Sequence, residues 1–245
     1  MSEISPLLEL KQVSKSFNGG RAVLAGITLN IYPGEILCIL GKSGSGKSTL
    51  LNILAGIEAA SGGTLSGDCA MSYVPQKDCL MPWRSVLENI ILPFELRRSV
   101  DSRTVEIALE LLESVELAEA GFLYPETLSG GMRQRVSLVR ALLQDTPLML
   151  FDEPFSAIDF NLRLKLGRCL REFCKRKNRT SVFVTHHIEE AMSLGDRVLT
   201  LSGEPARVSF ETMMRIPEEY RDPVAIRKWE RFGGTFEDLW QSLEG

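Results

Sequence analysis

The run Gly41-Lys42-Ser43-Gly44-Ser45-Gly46-Lys47-Ser48 fits the spacing G-x-x-x-x-G-K-[ST]. It follows the continuous apolar run Ile36 to Leu40 and precedes the mostly apolar stretch Leu50 to Ala55, which Gly56 stops. That order reads as strand, loop, helix. Glycines in such a loop let backbone N–H groups turn inward, where a Cβ would obstruct them. The helix that follows adds its positive N-terminal end, so the loop can cradle phosphate groups. Lys47 can bridge the β- and γ-phosphates of ATP, and the Ser48 hydroxyl can ligate Mg²⁺. A chance glycine loop would lack the correct context on both sides.

Asp152 and Glu153 close a second apolar run, Leu148 to Phe151. One carboxylate there can hold the magnesium shell, and the other can orient or deprotonate an attacking water. Alone, with Pro154 next, the pair would serve equally as an acidic turn; beside a phosphate loop the catalytic reading is favoured. Farther back, Leu128-Ser129-Gly130-Gly131-Met132-Arg133-Gln134-Arg135 opens the helical stretch that carries Val136 and Val139. Ser129 and two glycines leave unpaired backbone donors at a helix start, a second anion site. An isolated Ser-Gly-Gly would be an ordinary N-cap. One ATP needs only one cradle, so the second one suggests a head-to-tail dimer in which each chain closes on the other's nucleotide.

The elements that must position these residues are legible as patterns. Leu8 and Leu10 alternate with polar neighbours before a turn at Phe17-Asn18-Gly19-Gly20, and Ile27, Leu29 and Ile31 mark a half-buried strand ending at Pro33-Gly34. A third apolar strand, Ser181 to Thr185, ends in His186-His187. From about Ser85 to Gln144 the periods are helical, with Val105, Leu109, Leu112 and Val115 expected on one face and Val136, Val139 and Leu143 on another. Leu162, Leu166, Leu170 and Phe173 predict a helix whose other face, with Arg163, Arg168, Arg171 and Lys175, is expected to be solvated. Buried strands alternating with helices imply a parallel α/β sheet, here interrupted by a helical insert. After Gly203 the pattern weakens into short amphipathic pieces containing Trp229 and Trp240.

Composition narrows the function classes. A chain of 245 residues permits one or two domains, and 44% hydrophobic with 24% charged residues is ordinary for a globular protein. The formal net charge of -4 gives no broad footprint for nucleic acid. No apolar run approaches the ~20 residues needed to cross a bilayer. Met1-Ser2-Glu3-Ile4 has no basic patch followed by an apolar segment, so no signal peptide is expected. The five cysteines (Cys38, Cys69, Cys79, Cys169, Cys174) are odd in number and lack metal-type pairing, so reduced thiols are expected.

Together these segments resemble the ATP-binding-cassette (ABC) ATPase family over residues 7 to about 203: the phosphate loop, the Leu128 to Met132 signature and the Asp152-Glu153 strand end stand in family order. The resemblance implies an α/β phosphate-loop NTPase core with an antiparallel β subdomain, an inserted α-helical subdomain at about 78–145 and a short C-terminal extension at 204–245. It also implies ATP and Mg²⁺ as cofactors. Phe17 looks like the aromatic that stacks on adenine, although plain core packing is the alternative, and Thr49 extends the nucleotide loop. Ser129, Gly130, Gly131 and Met132 resemble the segment that touches nucleotide. Glu153 is implied as catalytic base, His186 as the histidine that contacts the γ-phosphate, and Gln76 as a contact to the metal and the attacking water. Ser48, Gln76 and Asp152 are thus the implied metal set. Ser156-Ala157-Ile158-Asp159 looks like the loop that crosses the dimer interface, with Ile158 where leucine is commoner. His187 stands where aspartate is frequent and is read as a surface neighbour without a role.

Leu80-Met81-Pro82-Trp83-Arg84-Ser85-Val86-Leu87-Glu88-Asn89-Ile90 resembles the L-x-P-W-x-x-V-x-x-N stretch of one import subfamily, whose transporters take up nitrate, taurine, alkanesulfonates and thiamine-precursor pyrimidines. The likeness implies a peripheral ATPase subunit on the cytoplasmic face of the cell membrane, docked on integral membrane permease subunits near Met81, Pro82 and Trp83. A second ATPase chain, expected to be identical, and an extracytoplasmic solute-binding protein complete the implied assembly, with no nucleic acid. Trp83 could instead pack the insert onto the core. A non-transport ABC ATPase would usually bring a coiled-coil insert, tandem cassettes or a basic face, and none is visible. A GTPase would need Asn-Lys-x-Asp, which is absent.

Overall fold

The computed structural model describes residues 5–17, 20 and 22–244. The readings at Met1 to Ile4 and at Asn18 and Gly19 lie outside the described residues. In chain order the strands are β1 (Leu8–Ser16), β2 (Ala22–Ile31), β3 (Ile36–Gly41), β4 (Gly62–Ser66), β5 (Met71–Val74), β6 (Leu148–Asp152), β7 (Thr180–Thr185), β8 (Arg197–Ser202) and β9 (Arg207–Met213). The helices are α1 (Lys47–Leu54), α2 (Val86–Leu96), α3 (Ser102–Ser114), α4 (Gly130–Leu143), α5 (Phe160–Arg176), α6 (Ile188–Leu194) and α7 (Phe232–Glu244).

A six-stranded sheet, ordered β5-β6-β7-β3-β8-β9, is parallel except for β9, and an antiparallel sheet β2-β1-β4 lies beside it. The central strand β3 shows why its sequence is continuously apolar. Alternate side chains leave opposite faces of a strand. Ile36, Cys38 and Leu40 join the core beneath α4, α5 and α6, while Leu37 and Ile39 join the core formed with α1 and the antiparallel sheet. Between β5 and β6 the described chain is helical, carrying α2, α3, α4 and two short 3₁₀ turns.

Three expectations need correction. Leu112 on α3 and Val115 at its end are buried as expected, but Leu109 is exposed and the rest of the buried line is Thr104 and Ala108, where the helix packs against α4 and α2. Arg171 is not part of a solvated face. It is 5% exposed and donates to the Leu194 carbonyl, Asp196 and Glu218. The stretch after Gly203 begins as sheet: β9 pairs antiparallel with β8, and α7 packs Leu239 into the same core as Ile226 and Met214.

Candidate active site

The phosphate loop leaves the end of β3 at Gly41 and enters α1 at Lys47. Two glycines have visible steric reasons. A Cβ at Gly41 would press on the Ser45 hydroxyl and the Leu201 carbonyl, and Gly46 sits at φ 82°, where a Cβ would also meet Leu24 Cδ2 at 2.8 Å. Lys42, Ser43 and Gly44 are exposed on the loop, Ser48 is exposed at the start of α1, and Thr49 is half-buried behind it. Lys47 is buried, and its Nζ donates to the carbonyls of Gly41 and Lys42 at 2.8 Å each. Burial pushes the Lys47 pKa down, opposed by Glu153 and Asp152.

Asp152 and Glu153 stand at the end of β6, next to this lysine. The Asp152 Oδ1 is buried without a hydrogen-bond partner. Burial raises the Asp152 pKa, against which the Ser48 hydroxyl and the Lys47 charge pull. A buried carboxylate oxygen left open beside a serine hydroxyl suits a hard divalent cation with oxygen ligands, so the residues present fit Mg²⁺. Glu153 adopts φ 48°, a left-handed conformation that costs a non-glycine residue of order 1–3 kcal/mol. Two neighbours bracket its carboxylate: His186 Nδ1 lies 3.1 Å from Oε1, and Gln76 Nε2 donates to Oε2 at 3.5 Å. The structure therefore brings Gly41 to Ser48, Asp152, Glu153, Gln76 and His186 into one site.

The segment after Gln76 is tied to the helical insert. Arg133 Nε on α4 pairs with Asp78 at 2.9 Å, and Arg140 donates to the Asp78 and Cys79 carbonyls at 2.9 and 3.0 Å. Ser129 caps α4, its side chain accepting from the Met132 N–H at 3.2 Å. Ser129 and Gly130 are exposed, and a Cβ on Gly131 would meet the Ala157 carbonyl at 2.8 Å. No hydrogen bond among the described residues joins Ser129 to Met132 with the phosphate loop. Phe17 is 44% exposed at the end of β1, with the Lys15 ammonium 4.9 Å from its ring centroid, so its face is not used by the core. Trp83 is 72% exposed, which removes it from interior packing, and Pro82 is exposed beside it.

Sequence reasoning missed several residues that shape the site. Tyr73 on β5 donates its hydroxyl to Asn52 Oδ1 of α1 at 3.1 Å and lies near Asp152; burial and then Asp152 push its pKa up. A tyrosine two residues before Pro75 was the available signal. Asn89 is read only as part of the Leu80 to Ile90 stretch and Arg163 only as part of a solvated face, whereas Asn89 is fully buried and the Arg163 Nε is buried too. A cavity of about 900 Å³ opens elsewhere, between α3, α4, α5 and the segment at Glu218 to Asp222, and neither the phosphate loop nor Asp152, Glu153, Gln76 or His186 lines it.

Fold and site define a phosphate-loop ATPase with an inserted helical arm. Residues 24–156 match the family model described as ABC transporter. The chain is 39% identical over 217 residues to the aliphatic sulfonates import ATP-binding protein SsuB of Granulibacter bethesdensis, covering 89% of this chain and 88% of that one. It is 34% identical over 220 residues to the formylaminopyrimidine import ATP-binding protein ThiZ of Halalkalibacterium halodurans, with the same coverage of 89% and 88%. Among solved structures, an ATP-binding cassette captured as a dimer in a post-hydrolysis state with ADP and Pi superimposes with TM-score 0.79 at 32% identity, covering 86% of this chain and 100% of that one. This chain belongs to the ABC transporter family, as an ATP-binding and ATP-hydrolysing member.

Proposed function

We propose that the chain is the ATPase subunit of an importer for a small solute of the nitrate, sulfonate, taurine or thiamine-precursor type. Two copies, head to tail, would place Ser129 to Met132 of one against the phosphate loop of the other. The observation that carries the reading is the bracketing of Glu153 by His186 and Gln76 in a chain whose Trp83 stands exposed on the insert.

In this reading Phe17 stacks on the adenine, and Lys47 leaves the Gly41 and Lys42 carbonyls for the phosphates, whose charge offsets the burial that depresses its pKa. Gly41 to Thr49 supply loop and helix donors to the same oxygens. Ser48, Asp152 and Gln76 would hold Mg²⁺, which neutralises phosphate charge when bound. Glu153 takes a proton from a water as that water's oxygen bonds to the γ-phosphorus and the bond to ADP breaks. His186 and Gln76 keep the Glu153 carboxylate aimed.

The insert, residues 78–145, acts as the arm that senses this chemistry, because Arg133 and Arg140 grip the segment following Gln76. Its surface at Met81, Pro82 and Trp83 is the docking site for integral membrane permease subunits, and the extension at 204–245 buttresses the core. No helix among the described residues is long and apolar enough to cross a membrane. The chain is assigned to the cytoplasmic face of the membrane, held there by those permease subunits, with an extracytoplasmic solute-binding protein delivering the solute. The test is to tag the chain in its own cell, solubilise the membranes and identify what co-purifies. A polytopic membrane protein is expected, with a solute-binding protein encoded beside it; recovery solely with ribosomes or nucleic acid would overturn the reading.

A further inference from the structure

We propose that Arg163 and His187 form a positioning pair that ties the loop Ser156 to Asp159 to the catalytic carboxylate of Glu153, so that the seating of that loop governs hydrolysis. The inference rests on reading Glu153 as the base. Every link is a direct contact. Arg163 lies in the first turn of α5, which Asp159 caps through the Leu162 N–H at 3.1 Å. The Arg163 Nη2 donates to the Ile158 carbonyl at 3.1 Å, and its Nη1 lies 3.4 Å from His187 Nε2. The His187 ring packs on the His186 ring, with centroids 4.1 Å apart. His186 Nδ1 in turn lies 3.1 Å from Glu153 Oε1.

Two features make this a link between parts and not a static brace. Arg163 forms no ion pair among the described residues, and its buried Nε has no partner; its side chain hydrogen-bonds a loop carbonyl and lies near an imidazole, with the buried Glu190 carboxylate near enough to feel its charge but not bonded to it. A displacement of Ile158 is therefore not resisted by a carboxylate clamp and passes to His187. The His187 main chain is anchored, its N–H donating to Thr185 Oγ1 at 3.1 Å where β7 turns into α6, so the displacement is taken up by the ring. The loop itself packs against Gly131 through the Ala157 carbonyl, so it also touches the start of α4.

A guanidinium has no acceptor, so the pair requires a neutral His187 carrying its proton on Nδ1. The groups facing this ring are Arg163 from α5, His186 from the same turn, Glu153 from the end of β6, and Glu189 of α6, itself paired with Arg227. Burial, His186 and Arg163 push the His187 pKa down, against the two carboxylates, which keeps the ring an acceptor at neutral pH.

The test measures MgATP hydrolysis by the full-length chain carrying His187→Phe, His187→Asp or Arg163→Gln, alongside Glu153→Gln. Phenylalanine keeps the ring contact and removes the acceptor; aspartate restores an acceptor for the guanidinium. His187→Phe and Arg163→Gln should each lower kcat about tenfold with KM for ATP within about twofold of wild type, the signature of misplaced chemistry with intact binding. Their double variant should lose no more than either alone. His187→Asp should recover most of kcat and lose the acid-side fall in rate. Wild-type turnover by His187→Phe, or failure of His187→Asp as deep as that of the phenylalanine variant at equal melting temperature, would overturn the pair. If Glu153→Gln still turns over, the base assignment fails instead, whatever the His187 variants do.

Discussion

Asn89 grips the Met81 peptide from both sides: its Oδ1 accepts from the Met81 N–H at 2.7 Å, and its Nδ2 donates to the Met81 carbonyl at 3.1 Å. The same Nδ2 reaches the Arg84 and Ser85 carbonyls at 3.0 and 2.9 Å, and the residue is fully buried. Asn89 thus shapes the turn that presents Trp83, which accounts for an asparagine six residues after that tryptophan. Asn89→Ala should cost roughly 2 kcal/mol by stranding buried polar groups. Thermal melts should read this as a fall of about 4–8 °C.

Trp83→Ala should behave in the opposite way. The ring is 72% exposed, so melting temperature and basal ATPase should stay at wild-type values. Solute uptake in membrane vesicles should fall steeply, since an aromatic at an interface centre is commonly worth about 2 kcal/mol or more. A large drop in melting temperature, or normal uptake, would remove Trp83 from the docking surface.

Glu153→Gln keeps the bracket with His186 and Gln76 but removes the base. ATP should bind and stall, and gel filtration with Mg-ATP should show a persisting dimer with turnover abolished. Lys47→Ala should bind a fluorescent ATP analogue at least about a hundredfold more weakly, because exposed Lys42 does not occupy the buried position between Asp152 and the loop. Unchanged affinity would sink the loop assignment.

Arg221 is buried, and its guanidinium donates to the carbonyls of Ile216, Met192, Gly195 and Met214. Burial and the neighbouring Arg171 bring its pKa down to about 10, which still leaves it charged at neutral pH. Arg221→Met should therefore destabilise the chain by about 3 kcal/mol or more through stranded carbonyls. Circular dichroism melts check this.

Asp196 supplies the pH dependence. Burial alone would raise its pKa, but Lys175, the Ile36 N–H and Arg171 outweigh that and hold it below the ordinary aspartate value. Because the folded pKa lies below the unfolded one, the stabilisation is present above about pH 4 and is lost as pH falls through the folded value. Asp196→Asn should lower the melting temperature at neutral pH, and the gap from wild type should narrow on acidification. A gap independent of pH would reject the assignment.

What the sequence disclosed depended on how local the physics is. Gly41 to Ser48 and Asp152-Glu153 were readable because phosphate binding demands set residue types at fixed spacing beside a strand. At Ser129 the structure shows the N-cap of α4, with the side chain accepting from the Met132 N–H. Arg171 was misread because helical periodicity says which residues share a face and not what lies opposite; Asp196 and Glu218 come from distant parts of the chain. The Arg163–His187 contact spans 24 positions and leaves no periodic trace. Along β9 Phe210 packs on one core and Val208 on the other, across a register shift opposite Thr200 and Leu201, so no single apolar alternation runs along the strand.

That last strand has a consequence for cutting the chain. Residues Arg197–Ser202 are hydrogen-bonded on one side to β3 and on the other to β9. Ending the chain at 203 would strip the second partner and leave Val198, Leu199 and Leu201 on an uncapped sheet margin. Such a margin is a template for pairing with other chains. A shortened form should precipitate as it refolds, even though the phosphate loop, Asp152, Glu153 and His186 would still be in it, so the segment carrying β9 would guard against self-association.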